Sequence, residues 1–393
     1  MSYRQKILKF KLIRSLSSLK ITLVCLFLLY LLTLGGMVSQ IHEGLYLAQQ
    51  RYFESFVFLL FGFLPFPGAQ AVMWVLLVNL VCVALTRFVY QWRRVGILII
   101  HSGLLLFLVS AYLTLHQARE SHLTLSEGQA ANVSVAYHDW ELAIWEAPLK
   151  EDSSLTDREV VSLDTNRFHP NQTIELVEQG FRISVKEFYK NCEAFSEQDS
   201  DAPLNASGIT HLQSAALQKE PEKNKPGGVF SVTTGDQKTF DILLFGAETR
   251  PVTIKAGAKR YHAILRLKRF PLPFVLRLKD FRKEEHPGTT IARSFQSLVE
   301  VQPLEGKKFN AKAWREKLIA MNEPLRYKDF TLYQASFSVD ESGQESSTLA
   351  VVQNAGRLMP YISTLVTVLG LVTHFSMMAV HSRKNTTNRK RHD

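Results

Sequence analysis

The chain has 393 residues, 46% of them hydrophobic, with three cysteines and a formal net charge of +10. That apolar share excludes a disordered polypeptide, and so few cysteines exclude a disulfide-built scaffold. A positive balance of this size is also the footprint of a nucleic-acid binder, so its meaning depends on where the charge sits.

Residues 1–20 carry Arg4, Lys6, Lys9, Lys11, Arg14 and Lys20 and lead into a first uncharged apolar run, 21–41. Further runs cover 65–86, 95–115 (interrupted only by His101) and 360–380 (interrupted only by His374). Each is about 21 residues, roughly 30 Å as a helix, the thickness of a bilayer's hydrocarbon. The pattern predicts an integral membrane α-helical bundle of four transmembrane helices in a 3+1 arrangement. The first run is too long for a cleaved signal peptide and has no clear cleavage site, so it reads as an anchor.

Between these spans lie an outer loop with an interfacial segment (42–64), a basic turn (87–94) with Arg87, Arg93 and Arg94, and a long segment (116–359). The tail, 381–393, is basic again. Lysine and arginine mark the cytoplasmic side, which places both termini and the turn inside and 116–359 outside. The three inner pieces sum to +13, the first outer loop to −1 and the large outer segment to −2. The +10 is therefore an orientation signal, and no nucleic-acid face is left to explain.

The outer segment predicts a large β-rich extracytoplasmic domain between the third and fourth helices, a sandwich or an open barrel. Stretches 131–136, 141–145, 181–188, 261–267 and 274–281 alternate as half-buried strands do. Residues 311–321 are the only helix candidate, and 193–228, rich in Ser, Glu, Lys, Pro and Asn, reads as a long mobile excursion with little to bury. No phosphate loop, H-E-x-x-H or G-x-S-x-G is present. Cys192 is the sole thiol outside the apolar runs and no C-x-x-C exists, so dithiol exchange needs another protein. His116, His122, His138 and His286 have no ligand-like spacing and read as solvated.

His101 and His374 each lie six residues from the cytoplasmic end of their runs, about 9 Å deep. An imidazole there has lost water and needs a partner, which makes it a candidate functional group. Two such imidazoles at matched depth are candidate axial ligands of one haem iron. The alternative is a hydrogen bond to a neighbouring helix and nothing more. Gly96, Gly103 and Ser110 form a small-residue seam on the third helix, with His101 roughly 140–160° away from it.

Several stretches resemble the ResB/CcsB family of the system II cytochrome c biogenesis machinery. They are 17–23 (Ser-Ser-Leu-Lys-Ile-Thr-Leu), 48–55 (Ala-Gln-Gln-Arg-Tyr-Phe-Glu-Ser), 65–68 (Pro-Phe-Pro-Gly), Asn79-Leu80 and 96–104, which includes His101. In the outer segment 272–281, 287–289 and 294–297 match, and 321–327 (Met-Asn-Glu-Pro-Leu-Arg-Tyr) and 331–337 (Thr-Leu-Tyr-Gln-Ala-Ser-Phe) are the most distinctive.

The resemblance implies a membrane subunit that binds haem b and delivers it for covalent attachment to apocytochrome c. It implies a tryptophan-rich CcsA/ResC-type membrane partner, since Trp74, Trp92, Trp140, Trp145 and Trp314 form no cluster of their own. A thioredoxin-like thiol reductant and membrane lipid complete the expected partners. By resemblance His101 ligates haem; His374 rests on its depth. Any haem lyase activity would need that partner, and the expected location is the bacterial inner membrane. Two alternatives stay open: a haem-free, membrane-anchored assembly or sensory protein whose outer domain binds a partner, and a self-contained b-type cytochrome.

Overall fold

A computed structural model describes residues 11–86, 91–147, 159–198, 201–288, 292–304, 314–341 and 343–389. The chain divides into two compact units, a helical one and a β-rich one. The helical unit holds the described residues up to Arg119, together with Lys328–Phe330 and those from Gln353 onwards.

Helix α1 (Lys11–Leu16) and helix α2 (Leu19–Glu43) are separated by a break at Ser17 and Ser18. The Ser18 hydroxyl caps α2 by accepting from the Lys20 amide at 3.3 Å. A short helix α3 (Leu45–Tyr52) follows, then a hairpin of strands β1 (Val57–Leu60) and β2 (Leu64–Pro67). Helix α4 (Ala69–Thr86) starts four residues later than the apolar run predicts, because Pro65 and Pro67 hold the chain extended. Helices α5 (Val95–Gln117) and α6 (Met359–Arg389) complete the unit. Four helices, α2, α4, α5 and α6, are long and apolar enough to cross a membrane.

Buried Asn79 on α4 stitches the break between α1 and α2. Its amide donates to the carbonyls of Leu16 (2.5 Å) and Ser18 (3.1 Å), and its oxygen accepts from the Thr22 hydroxyl at 2.7 Å. A chain interruption thereby has its stranded carbonyls satisfied by a side chain from another helix.

The β-rich unit is built on two sheets. Strands β3 (Arg119–Ser126), β4 (Ala130–Glu146), β13 (Lys259–Glu285), β14 (Ala292–Pro303), β15 (Arg315–Ala320), β16 (Leu325–Tyr327), β17 (Phe330–Val339) and β18 (Glu345–Gln353) run in the order β15-β14-β13-β4-β3-β18-β17-β16. Strand β5 (Val160–Asp164) adds to β4, and β12 (Val252–Ala256) to β13. The second sheet has β6 (Thr173–Leu176), β7 (Phe181–Tyr189), β10 (Gly227–Thr234) and β11 (Thr239–Phe245) in the order β11-β10-β7-β6.

The sheets share a core in which Phe181, Ile183, Phe230 and Ile242 of the small sheet meet Leu142, Ile144, Ile254 and Leu265 of the large one. Apolar residues on alternate positions of each strand form the inner faces, as in a sandwich. The far half of the large sheet curls over. Ser297 of β14 lies 2.6 Å from Gln334 of β17 and 2.8 Å from Ser347 of β18, although several strands separate them in the sheet. Sandwich and open barrel therefore coexist, joined by the 27-residue β13.

Two local expectations differ from the observed fold. Residues 315–320, inside the helix expected over 311–321, form edge strand β15, with Ile319 fully buried; 311–313 lie outside the described residues. Pairing of β15 with β14 outweighs a helical propensity of a few tenths of a kcal/mol per residue. Residues 193–228, expected to hold little structure, contain most of strand β8 (Cys192–Phe195) and its hairpin mate β9 (His211–Ser214). Asn205 pins the segment to the rim of the small sheet by donating to the Leu243 carbonyl at 2.9 Å.

Candidate functional site: the paired helices carrying His101 and His374

Gly96, Gly103 and Ser110 are the buried residues of α5, and they face α6. A β-carbon at Gly96 would lie 2.6 Å from the Cα and the amide nitrogen of His374. One at Gly103 would lie 2.2 Å from the Thr367 hydroxyl, and one at Gly370 would lie 2.6 Å from the Ile100 nitrogen. The helices are antiparallel, with backbones in contact through a seam only small residues permit. The Ser110 hydroxyl, buried in that seam, has no hydrogen-bond partner among the described residues.

This seam fixes both histidines. His101 is five residues beyond Gly96 and two before Gly103, so it lies roughly 140–160° around α5 from the face that meets α6. His374 is on α6, level with Gly96. His101 is thus about 7.5 Å further along the axis and on the far side of its helix. The matched depth expected from counting residues to the ends of the apolar runs does not hold, because backbone contact at the glycines sets the register. The structure does not bring the two imidazoles to a common point.

The His101 Nδ1 lies 2.8 Å from the Ile97 carbonyl oxygen, one turn back. A carbonyl only accepts, so Nδ1 carries the proton and, in the neutral ring, the lone pair is on Nε2. That tautomer is the one used by histidines that bind a metal through Nε2. The His374 ring packs beside Phe375, with centroids 5.6 Å apart. The two histidines therefore lie at different heights, with His101 on the side of α5 away from α6. Among the described residues no group of three or more His, Cys, Asp or Glu is placed to hold a metal ion.

Of the histidines expected to be solvated, His116 and His286 are exposed, whereas His122 and His138 are half-buried. His122 packs on Tyr137 at 5.0 Å, and burial lowers its pKa. His138 Nδ1 lies 3.7 Å from Glu222. His116 meets Tyr112 edge to face at 4.4 Å, and Tyr112 in turn meets Trp74 at 5.1 Å. These three line a groove of about 330 Å³ between α4 and α5, with Gln70 and Met73. The four-residue spacing of Tyr112 and His116 is the sequence signal that would have found it.

Cys192 opens strand β8, is buried, and donates to the Lys225 carbonyl at 3.4 Å. Burial pushes its thiol pKa up to about 11. It is a core thiol with no nucleophilic character at neutral pH.

Residues 244–368 match the model of the ResB-like family. The matched span takes in β12 to β18 and the first part of α6, including Ser363 and Thr367 of the seam, but neither His101 nor His374. The chain is also similar to Protein NrfI of Wolinella succinogenes, 32% identical over 103 residues. That alignment is 26% of this chain and 10% of NrfI, so the chain spans about a tenth of the length of this curated relative. The motifs 272–281, 287–289, 294–297, 321–327 and 331–337 fall inside the family match, whereas 17–23, 48–55, 65–68, 79–80 and 96–104 lie outside it; residues 244–368 are ResB-like.

Proposed function

We propose that this chain is the ResB-type membrane subunit of a system II cytochrome c synthase, which holds haem b and delivers it for attachment to apocytochrome c outside the membrane. The ResB-like match over 244–368 supports a role in cytochrome c biogenesis, and four apolar helices support a membrane location. The observation that supports the haem reading is the position of His101 on the side of α5 away from α6, with its Nδ1 held by the Ile97 carbonyl.

The basic residues of 1–20, 87–94 and the tail orient the chain with both termini in the cytoplasm and the β-rich unit outside, in a bacterial inner membrane. In that orientation His374 lies nearest the cytoplasmic face, as a separate contact at the entry to the bundle. His101 lies about 7.5 Å deeper and would hold the haem. A tryptophan-rich CcsA/ResC-type partner would complete the haem site.

Haem, when bound, supplies the vinyl groups to which the cysteines of an apocytochrome add. This chain's part is to hold and orient. Its own thiols, Cys25, Cys82 and Cys192, are all buried, so the client's cysteines are kept reduced by a separate thioredoxin-like protein. The β-rich unit, without nucleophile or metal cluster among the described residues, serves as the docking surface for the client.

The test is a reduced-minus-oxidised spectrum of the purified chain, alone and with its partner. A b-type spectrum that His101→Ala abolishes and His374→Ala only weakens supports the assignment. Full haem and normal cytochrome c maturation in His101→Ala would overturn it. Haem-free preparations of the complex would favour a membrane-anchored assembly protein instead.

A further inference from the structure

The segment between α2 and α4 doubles back along α2. A β-carbon at Gly35 would lie 3.0 Å from the Tyr52 ring, and one at Gly36 would lie 2.8 Å from Phe53. By Tyr52 the chain has thus returned about 11 Å from the C-terminal end of α2. Phe58 of β1 then joins a buried cluster with Cys25, Leu32, Ala69 and Val72. Pro67 of β2 shares a groove with Val24, Cys25 and Leu28 of α2, about 22–29 Å back from that same end. The hairpin lies beside the middle of a helix long enough to span a bilayer.

Its outward face is wholly apolar. Phe56, Val57, Leu59, Phe61, Phe63 and Leu64 are exposed, with Phe61 at 81% and Phe63 at 75% at the tip. Residues 55–86 contain no Asp, Glu, Lys, Arg or His. Phe61 adopts φ +56°, a left-handed conformation that bulky side chains avoid, so the turn keeps an aromatic where glycine or asparagine would be easier.

An open two-stranded ribbon in lipid would strand backbone amides along its edges, which is why such ribbons are excluded from hydrocarbon. Here β2 reads Leu-Pro-Phe-Pro, and Pro65 and Pro67, paired with Leu59 and Val57, have no N–H to strand. The outer edge of β2 has thus lost the donors that Pro65 and Pro67 replace.

We propose that the β1–β2 hairpin is a re-entrant wedge whose Phe61–Phe63 tip and exposed face are covered by lipid acyl chains. This rests on the reading that α2, α4, α5 and α6 cross a bilayer, and the test separates the two. Single cysteines replace Phe63, Phe61, Phe107 on the exposed side of α5, and Lys238 in the β-rich unit, and each is spin-labelled. The chain alone is reconstituted into phosphatidylcholine vesicles, and label relaxation by oxygen is compared with relaxation by a water-soluble nickel chelate.

The expected oxygen-to-nickel ratio at 63 is within about two-fold of that at 107 and roughly ten-fold above that at 238. Phe63→Cys guards against loss of the strained Phe61 turn. A nickel-dominated signal at 63 with an oxygen-dominated one at 107 overturns the wedge alone. Nickel dominance at both positions overturns the membrane reading itself. A label at 63 that neither reagent reaches means a second copy covers the hairpin, and that too overturns the proposal.

Discussion

The backbone of His374 rests directly on Gly96: a β-carbon at that glycine would come within 2.6 Å of the histidine's Cα. The contact makes α5 and α6 a pair and sends the His101 side chain away from its partner helix. It also gives a position more than a turn from His101 on the same helix control over where that imidazole points.

Gly96→Leu is expected to force the helices apart and to cost about 1–3 kcal/mol, the usual penalty of overpacking. Its signature is a lowered thermal midpoint in detergent together with weakened haem retention, although no ligand is removed. Gly96→Ala should fall between the two. An unchanged midpoint for the leucine variant would mean that the seam is not closed in solution.

Asn79→Leu removes the bonds to Leu16, Ser18 and Thr22 and leaves the Leu16 carbonyl at the helix break without its donor, while that of Ser18 still accepts from the Ile21 amide at 3.1 Å. A loss of about 1–3 kcal/mol is expected. Protease sensitivity should appear near the break at Ser17 and Ser18, and limited proteolysis followed by mass spectrometry reads it directly.

Asp164 and Lys268 form a 2.8 Å ion pair at the edge of the sandwich, each about a quarter exposed. Burial raises the Asp164 pKa, but hydrogen bonds from Lys268 and from the Asn166 amide outweigh it, and the net shift is downward. A depressed folded-state pKa gives stability that is fully present above the unfolded value near 4 and is lost as pH falls through the folded value. Asp164→Asn should therefore lose at most about 1 kcal/mol at pH 7 and nothing in strong acid, where both forms are neutral. Urea titrations of both proteins across that range measure it.

Cys192, with its pKa at about 11, should resist iodoacetamide at pH 8 in the folded protein and react at once in denaturant. Cys192→Ser should support normal cytochrome c maturation. A maturation defect without loss of stability would give the thiol a chemical role that its surroundings argue against.

The helical unit was legible in the sequence because its signals are one-dimensional: uncharged runs and small residues at intervals of seven. The seam of Gly96, Gly103 and Ser110 was read correctly as a packing face. Its partner was not legible, nor was the offset between His101 and His374, since register between helices distant in sequence is set by contacts no local pattern encodes. The β-rich unit was legible as alternation, and strands such as β7 and β13 follow it closely. Strand β15 was missed because its burial reads exposed at four positions in a row, and only its pairing with β14 makes it a strand. The hairpin β1–β2 was hidden inside apolar sequence, where Pro65 and Pro67 were the marks to weigh more heavily.

Strand β13 runs for 27 residues, with Ala263 and Leu265 in the sandwich core and Phe274, Leu276 and Leu278 under the curled half of the sheet. A strand that long acts as a splint. The β13–β4 pairing crosses the junction with register shifts at Leu267/Arg269 and Pro271/Leu276, yet the one strand ties both halves together, so the β-rich unit should melt in a single cooperative transition. Under the proposed role, a client docked on that unit would meet one cooperative platform spanning both halves.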